Sequence, residues 1–82
     1  MSETQITQDA ELDARGLLCP MPVVKAAKAM KELEPGQVLK ILATDRGSIA
    51  DMPAWAEDTG NTLLEWHDQG DELVYLIRKG DD

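Results

Sequence analysis

The chain contains one nearly continuous aliphatic run, Val38 to Ala43, which is interrupted only by Lys40. Such a run favours a buried strand. Thr62 to Asp68 and Glu72 to Lys79 instead alternate with period 2, and the polar turn between them predicts a β-hairpin. A shorter strand is predicted at Ala10 to Ala14. With 82 residues, the chain has room for one small domain.

A first helix is predicted after the first strand. From Val23 to Leu33 the apolar residues recur at helical spacing and form one face, with lysines on a second face. Pro22 suits the first turn, where its missing N–H costs nothing. Pro35 and Gly36 are expected to stop the helix.

A second helix should follow the turn at 45–48. We expect Asp51 to be its N-cap, Pro53 to lie in its first turn and Gly60 to end it. A cap at Ser48 would place Pro53 deeper in the helix, where its ring clashes with the preceding turn. This favours Asp51 over Ser48 as the start.

The resulting order is β-α-β-α-β-β, because the helices connect the first three strands and a hairpin closes the chain. It predicts an α/β (α+β) two-layer sandwich, in which a four-stranded mixed sheet carries two helices on one face. We expect one domain over 10–79, a loose tail over 1–9 and a second short tail over 80–82.

Charge and cysteine content exclude several classes of function. Sixteen acidic against eight basic residues give a net charge of −8, which opposes direct nucleic-acid binding. No apolar run is long enough to span a bilayer, so no membrane association is expected. One Cys and one His exclude an internal disulfide and a Cys/His zinc site, and the polar N-terminus is unlike a secretory signal. A reducing cytoplasm is therefore the expected compartment, with neither metal nor cofactor.

Cys19 is the position where chemistry is most strongly indicated. Pro20 favours an extended Cys19 just outside the first helix, and Pro22 begins that helix. The positive end of the helix dipole should then lower the pKa of the thiol and favour the thiolate. The backbone amides expected to serve the sulfur are those of Met21, Val23 and Val24.

Charge along the sequence supports this interpretation. From Arg15 to Arg46 there are six basic and three acidic residues, whereas the rest of the chain is strongly acidic. A mildly positive surrounding would favour a thiolate. The alternative is that Cys19 is a small buried structural residue. His67, the one candidate base for a Cys/His pair, is expected at the solvated surface.

The segment from Leu12 to Pro22 (LDARGLLCPMP) resembles the signature of the TusA/SirA-like sulfur carriers. Further matches are Pro35-Gly36, Asp45, Asp51-Met52-Pro53-Ala54-Trp55 and Gly60. The resemblance covers about residues 10–79. It implies a β-α-β-α-β-β sandwich whose cysteine accepts sulfane sulfur as a persulfide and passes it on, acting as a carrier rather than as a conventional enzyme.

Carried onto this chain, the resemblance makes Cys19 the persulfide site. Pro20 and Pro22 then shape the helix start, and Arg15 and Gly16 shape the approach. The remaining supporting residue is Asp51 of the Asp-x-Pro element. Where many relatives have a second Cys, this chain has Ala56, so no exchange between two cysteines of one molecule is available.

The resemblance also implies partners. The sulfur donor would be a cysteine desulfurase or a rhodanese-like protein, and the acceptor would serve tRNA thiolation, molybdenum-cofactor assembly or sulfur oxidation. A monomer with transient contacts is expected. Two alternatives stay open: a one-cysteine redox protein, and an interaction or regulatory module whose Cys is structural.

Overall fold

The protein is described by a computed structural model over residues 8–80. Its elements follow the predicted β-α-β-α-β-β order. They are β1 (Ala10–Ala14), α1 (Met21–Met30), β2 (Val38–Ala43), α2 (Ser48–Asp58), β3 (Thr62–Asp68) and β4 (Leu73–Arg78). Most of the two expected tails lies outside the described residues. Within them, Asp9 pairs with Val38 through two hydrogen bonds, and the Gly80 N–H donates to Asn61.

The four strands form one mixed sheet in the order β1-β2-β4-β3. β1 and β2 are parallel because α1 connects them as a crossover, whereas β4 is antiparallel to both of its neighbours. β2 and β4 are therefore the central strands. This agrees with the aliphatic sequence of β2 and confirms the predicted mixed sheet.

Both helices pack on one face of this sheet and enclose an aliphatic core. The α1 and α2 residues in the core are Ala26, Met30, Met52 and Ala56, and the strand residues are Ala14, Leu39, Ile41, Ala43, Leu73, Tyr75 and Ile77. The Trp66 ring on β3 stacks on Tyr75 at a centroid distance of 6.1 Å. The predicted two-layer sandwich is confirmed. Neither helix of the described residues has the length and apolar character needed to cross a membrane.

The prediction that α2 starts after Asp51 is wrong. The helix begins at Ser48, and Pro53 lies inside it. Ser48 is 1% exposed, and its hydroxyl contacts the Tyr75 hydroxyl at 2.7 Å and donates to the Asp45 carbonyl at 2.8 Å. These buried contacts anchor the first turn to the sheet and so offset the cost of an internal proline.

The helix α1 is shorter than predicted and ends at Met30 rather than at Leu33. The N–H groups of Glu32 and Leu33 donate to the carbonyls three residues earlier, which tightens the last turn. Pro35 then disfavours helical geometry at Glu34. Leu33 still packs against the core from this turn, and this explains why it fits the helical pattern.

Candidate functional site

Cys19 lies in the loop between β1 and α1, immediately before the helix. Pro20 is the N-cap residue of α1, and Pro22 is its second residue and is buried. The Cys19 thiol is free and exposed. The alternative of a buried structural cysteine is therefore wrong, and the predicted position just outside the helix is confirmed.

The loops after β1 and β2 meet because these strands are parallel neighbours, so their carboxyl ends lie at one edge of the sheet. The Gly16 N–H donates to Thr44 Oγ1 at 2.9 Å, and the Cys19 N–H donates to Asp45 Oδ2 at 3.2 Å. Gly16 has a φ of +83°, which other residues rarely adopt. The turn that presents Cys19 is thus held by the residues that follow β2.

A second carboxylate contacts the sulfur itself. Because α2 begins at Ser48, Asp51 is the fourth residue of the helix rather than its cap. The Cys19 thiol donates a hydrogen bond from Sγ to Asp51 Oδ2 at 2.8 Å. Asp51 and Cys19 are 32 residues apart in the chain.

The carboxylates reverse the expected ionisation of Cys19. The hydrogen bond to Asp51, desolvation, and the negative charges of Asp51 and Asp45 together raise the pKa of the Cys19 thiol. The prediction of a lowered pKa is wrong because it considered only the helix dipole and the charges along one segment of sequence. The fold instead brings Asp51, from outside that segment, against the sulfur.

The backbone amides at the start of α1 give the sulfur less support than expected. The Met21 N–H donates to the Leu18 carbonyl at 2.8 Å, and the Val24 N–H donates to the Pro20 carbonyl at 3.1 Å. Two of the three amides expected to serve Cys19 are therefore already used by the backbone. The helix terminus is a weaker anion site than the sequence indicates.

Gly47 permits the close packing of these loops. A Cβ atom at this position would lie 3.0 Å from Asp45 Oδ2 and 3.8 Å from the Cys19 Cβ. Its φ of −64° is one that any residue adopts, so glycine is needed here for steric room and not for its backbone conformation. The missing Cβ lets the Asp45 carboxylate reach the Cys19 amide.

Arg15 and His67 face a different part of the molecule. The Arg15 guanidinium pairs with Asp13 at 2.9 Å and with Glu72 at 3.0 Å. His67 contacts Glu65 at 2.8 Å and is exposed, as predicted. Both line a depression of about 520 Å³ on the helix-free face of the sheet, and Cys19 does not line it. Within residues 8–80, no three His, Cys, Asp or Glu side chains are grouped so that they could hold a metal ion.

Exposed apolar side chains flank Cys19 in the chain. Leu18 is 72% exposed, Met21 is 40% exposed and Val24 is 49% exposed. Lys25 and Lys28 continue along the exposed side of α1, and exposed Lys31 follows at its C-cap. Exposed apolar side chains that form a patch are typical of a surface that binds another protein.

Comparison with known proteins identifies the family. The sequence profile described as sulfurtransferase TusA matches residues 10–79. The chain belongs to the TusA family. The putative sulfur carrier protein YrkI of Bacillus subtilis is 53% identical over 88% of this chain and 96% of its own length. The sulfur carrier protein TusA of Allochromatium vinosum is 46% identical, over 87% of this chain and 93% of its own.

A solved structure supports the same assignment. The SirA-like protein of Desulfitobacterium hafniense has a TM-score of 0.75 and 31% identity, over 88% of this chain and 99% of its own. Membership of the TusA family supports a role as a sulfur carrier, and such a role implies donor and acceptor proteins.

Neither the direct contact between Asp51 and the sulfur nor the contact of Asp45 with the Cys19 amide was predicted from the sequence patterns. One signal could have found Asp45. It follows a strand that a helix connects to the strand before Cys19, and such a crossover makes neighbouring strands parallel, with their following loops at one edge of the sheet. No comparable signal existed for Asp51, because its contact with Cys19 depends on where α2 begins.

Proposed function

We propose that this TusA-family protein accepts sulfane sulfur as a persulfide on Cys19 and relays it to an acceptor protein. The observation that carries the proposal is the free, exposed thiol in a loop next to α1. A carrier must present its sulfur to two successive proteins, whereas an enzyme acting on a small molecule encloses its substrate in a pocket. An accessible cysteine in a loop suits a carrier that presents sulfur to other proteins.

Five further residues support this site. Pro20 and Pro22 define the start of α1, so that the thiol stays outside the helix. Gly16 bonds to Thr44 and shapes the loop. Arg15 ties the beginning of the same loop to Glu72, and Asp51 contacts the sulfur.

The partners would be proteins. We expect the donor to be a cysteine desulfurase or a rhodanese-like protein, and the acceptor to serve tRNA thiolation, molybdenum-cofactor assembly or sulfur oxidation. Exposed Leu18, Met21 and Val24 beside the thiol support transient docking of a protein rather than of nucleic acid. The carrier would act as a monomer in the cytoplasm.

The raised pKa of Cys19 weighs against the one-cysteine redox alternative. Cysteines that sense oxidants are exposed and have a low pKa, because the thiolate is the species that reacts. Here the hydrogen bond to Asp51 has the opposite effect on the pKa. The second alternative is an interaction or regulatory module. In such a module, replacing Cys19 by Ser should change the function little, whereas in a carrier the same replacement should abolish it.

The carrier proposal predicts the mass of the protein after exposure to a sulfur donor. The purified protein would be incubated with a cysteine desulfurase and cysteine, and separately with polysulfide. Intact mass spectrometry should show the gain of one sulfur atom, which a reductant removes. Cys19→Ser changes one atom of the side chain and should gain no sulfur from either donor.

Two results would contradict this proposal. The first is the absence of added sulfur with both donors, and the second is equal labelling of wild type and Cys19→Ser. Circular dichroism and urea unfolding of the variant should match those of wild type. A loading defect would then report the missing sulfur atom rather than a damaged fold.

A further inference from the structure

Two carboxylates surround Cys19 from elements distant in the sequence. Asp51 on α2 accepts a hydrogen bond from Sγ at 2.8 Å, and Asp45, after β2, accepts one from the Cys19 N–H at 3.2 Å. Within residues 8–80 neither carboxylate forms an ion pair with Lys or Arg. The first turn of α1 contributes only Met21, Pro22, Val23 and Val24, which carry no charge.

This geometry favours the thiol over the thiolate. A carboxylate accepts a hydrogen bond from S–H but repels S⁻ at the same distance. The opposing influence, the positive end of α1, is reduced because the Met21 and Val24 amides are already bonded. The sulfur is therefore exposed but keeps its proton.

We propose that Asp51 is a positioning residue that holds Cys19 as a protonated thiol in the free carrier. The inference rests on the proposed carrier function and concerns the protonation state of the same cysteine. A protonated thiol reacts slowly with soluble electrophiles and oxidants. The carrier would thus be protected between partners and would react when a bound donor takes up the proton as the S–S bond of the donor breaks.

The transfer itself balances without an oxidant or a reductant. A new S–S bond forms between Cys19 Sγ and the sulfane sulfur of the donor persulfide. The S–S bond of the donor breaks, and its electron pair stays on the donor sulfur. The proton that Sγ shares with Asp51 passes to this donor thiolate. One thiol and one persulfide thereby give one persulfide and one thiol.

The rate of alkylation of Cys19 by iodoacetamide, measured against pH, tests the proposal. The reagent reports one site, since the chain has a single Cys. In Asp51→Asn we expect the apparent pKa of the thiol to fall. Each unit of that fall raises the thiolate fraction at pH 7 about tenfold and lowers the intrinsic nucleophilicity about threefold. The net expectation is faster alkylation at pH 7 and a lower plateau at alkaline pH.

Asp58→Asn is the matched control. It removes the same charge from the last residue of the same helix, and its pH profile should coincide with that of wild type. Asp45→Asn should shift the profile less than Asp51→Asn, because Asp45 contacts the backbone rather than the sulfur. Superimposed profiles for wild type and Asp51→Asn would overturn the proposal.

A measurement on wild type alone tests the proposal even if the Asp51→Asn variant does not fold. Thiolate absorbance should give a higher pKa for Cys19 in the folded protein than in urea, and an equal or lower value would also overturn the proposal. Sulfur loading is scored separately. If the pH profile shifts as expected but wild type gains no sulfur, the carrier function fails and the role of Asp51 in ionisation stands.

Discussion

Ser48 and Tyr75 form a buried polar pair that ties the candidate site to the core. The Ser48 hydroxyl donates to the Asp45 carbonyl, so the Tyr75 O–H is the donor in the contact between the two hydroxyls. Both residues are at most 1% exposed. The backbone of Asp45, whose carboxylate holds the Cys19 amide, is thereby fixed to β4. The position of the cysteine loop therefore depends on the buried contact between the Ser48 and Tyr75 hydroxyls.

Tyr75→Phe should lower the free energy of unfolding by about 1 kcal/mol, because one buried hydrogen bond is lost while Ser48 keeps its bond to Asp45. Ser48→Ala should cost more, since it loses both bonds and leaves the Tyr75 hydroxyl buried without a partner. Urea unfolding of both variants and of the double variant checks this. Strictly additive losses would contradict the expected coupling.

At the scale of elements, the helix α2 contains an unfavourable residue. Pro53 is its sixth residue and cannot donate a hydrogen bond to the Ile49 carbonyl. An internal proline costs about 3 kcal/mol relative to alanine, and part of this is offset because proline also restricts the unfolded chain.

Pro53→Ala should therefore raise the free energy of unfolding by about 1–2 kcal/mol, as measured by urea denaturation. Pro22→Ala is the matched control. Pro22 lies in the first turn of α1, where no N–H is needed, and it is buried, so this variant should lose stability. A destabilised Pro53→Ala variant would mean that the ring contributes more by packing than it costs the helix.

Sequence patterns predicted the strands more accurately than the helix ends. The bounds of β1, β2 and β3 agree with the prediction, because alternation and aliphatic runs reflect which face of a strand is buried. The irregular pairing within β3 between Leu63 and Glu65 was not predicted. The start of α2 was also missed, since the contact between Ser48 and Tyr75 joins residues 27 apart and leaves no local signal.

At the scale of the whole molecule, the site is assembled from three separate segments. Local sequence was sufficient to single out Cys19, because the prolines that place it are its neighbours. The ionisation of its thiol could not be predicted in this way. It depends on Asp45 and Asp51, which only the parallel β1–β2 pair and the early start of α2 bring to the sulfur.

Two exposed ion pairs, one local (Asp13–Arg15) and one between residues 22 apart in the chain (Asp68–Arg46), should make stability depend on pH in acid. Hydrogen bonding to Arg15 lowers the pKa of Asp13 to about 2, and hydrogen bonding to Arg46 lowers that of Asp68 to about 2, against an ordinary value of 3.8. A lowered pKa in the folded state means that the unfolded chain binds protons first. The stabilisation is therefore present above about pH 4 and is lost as the pH falls towards 2.

The urea midpoints of Asp13→Asn and Asp68→Asn, measured between pH 5 and pH 2, test this assignment. Each variant should be less stable than wild type at pH 5 and should approach it near pH 2, where about half of the wild-type carboxyl is protonated. Because both pairs are exposed to solvent, the difference at pH 5 should be small and should shrink further in high salt. Curves that stay parallel to wild type down to pH 2 would mean that other carboxylates control unfolding in acid. Arg46→Gln should reproduce the Asp68→Asn profile, because it removes the same pair from the opposite side.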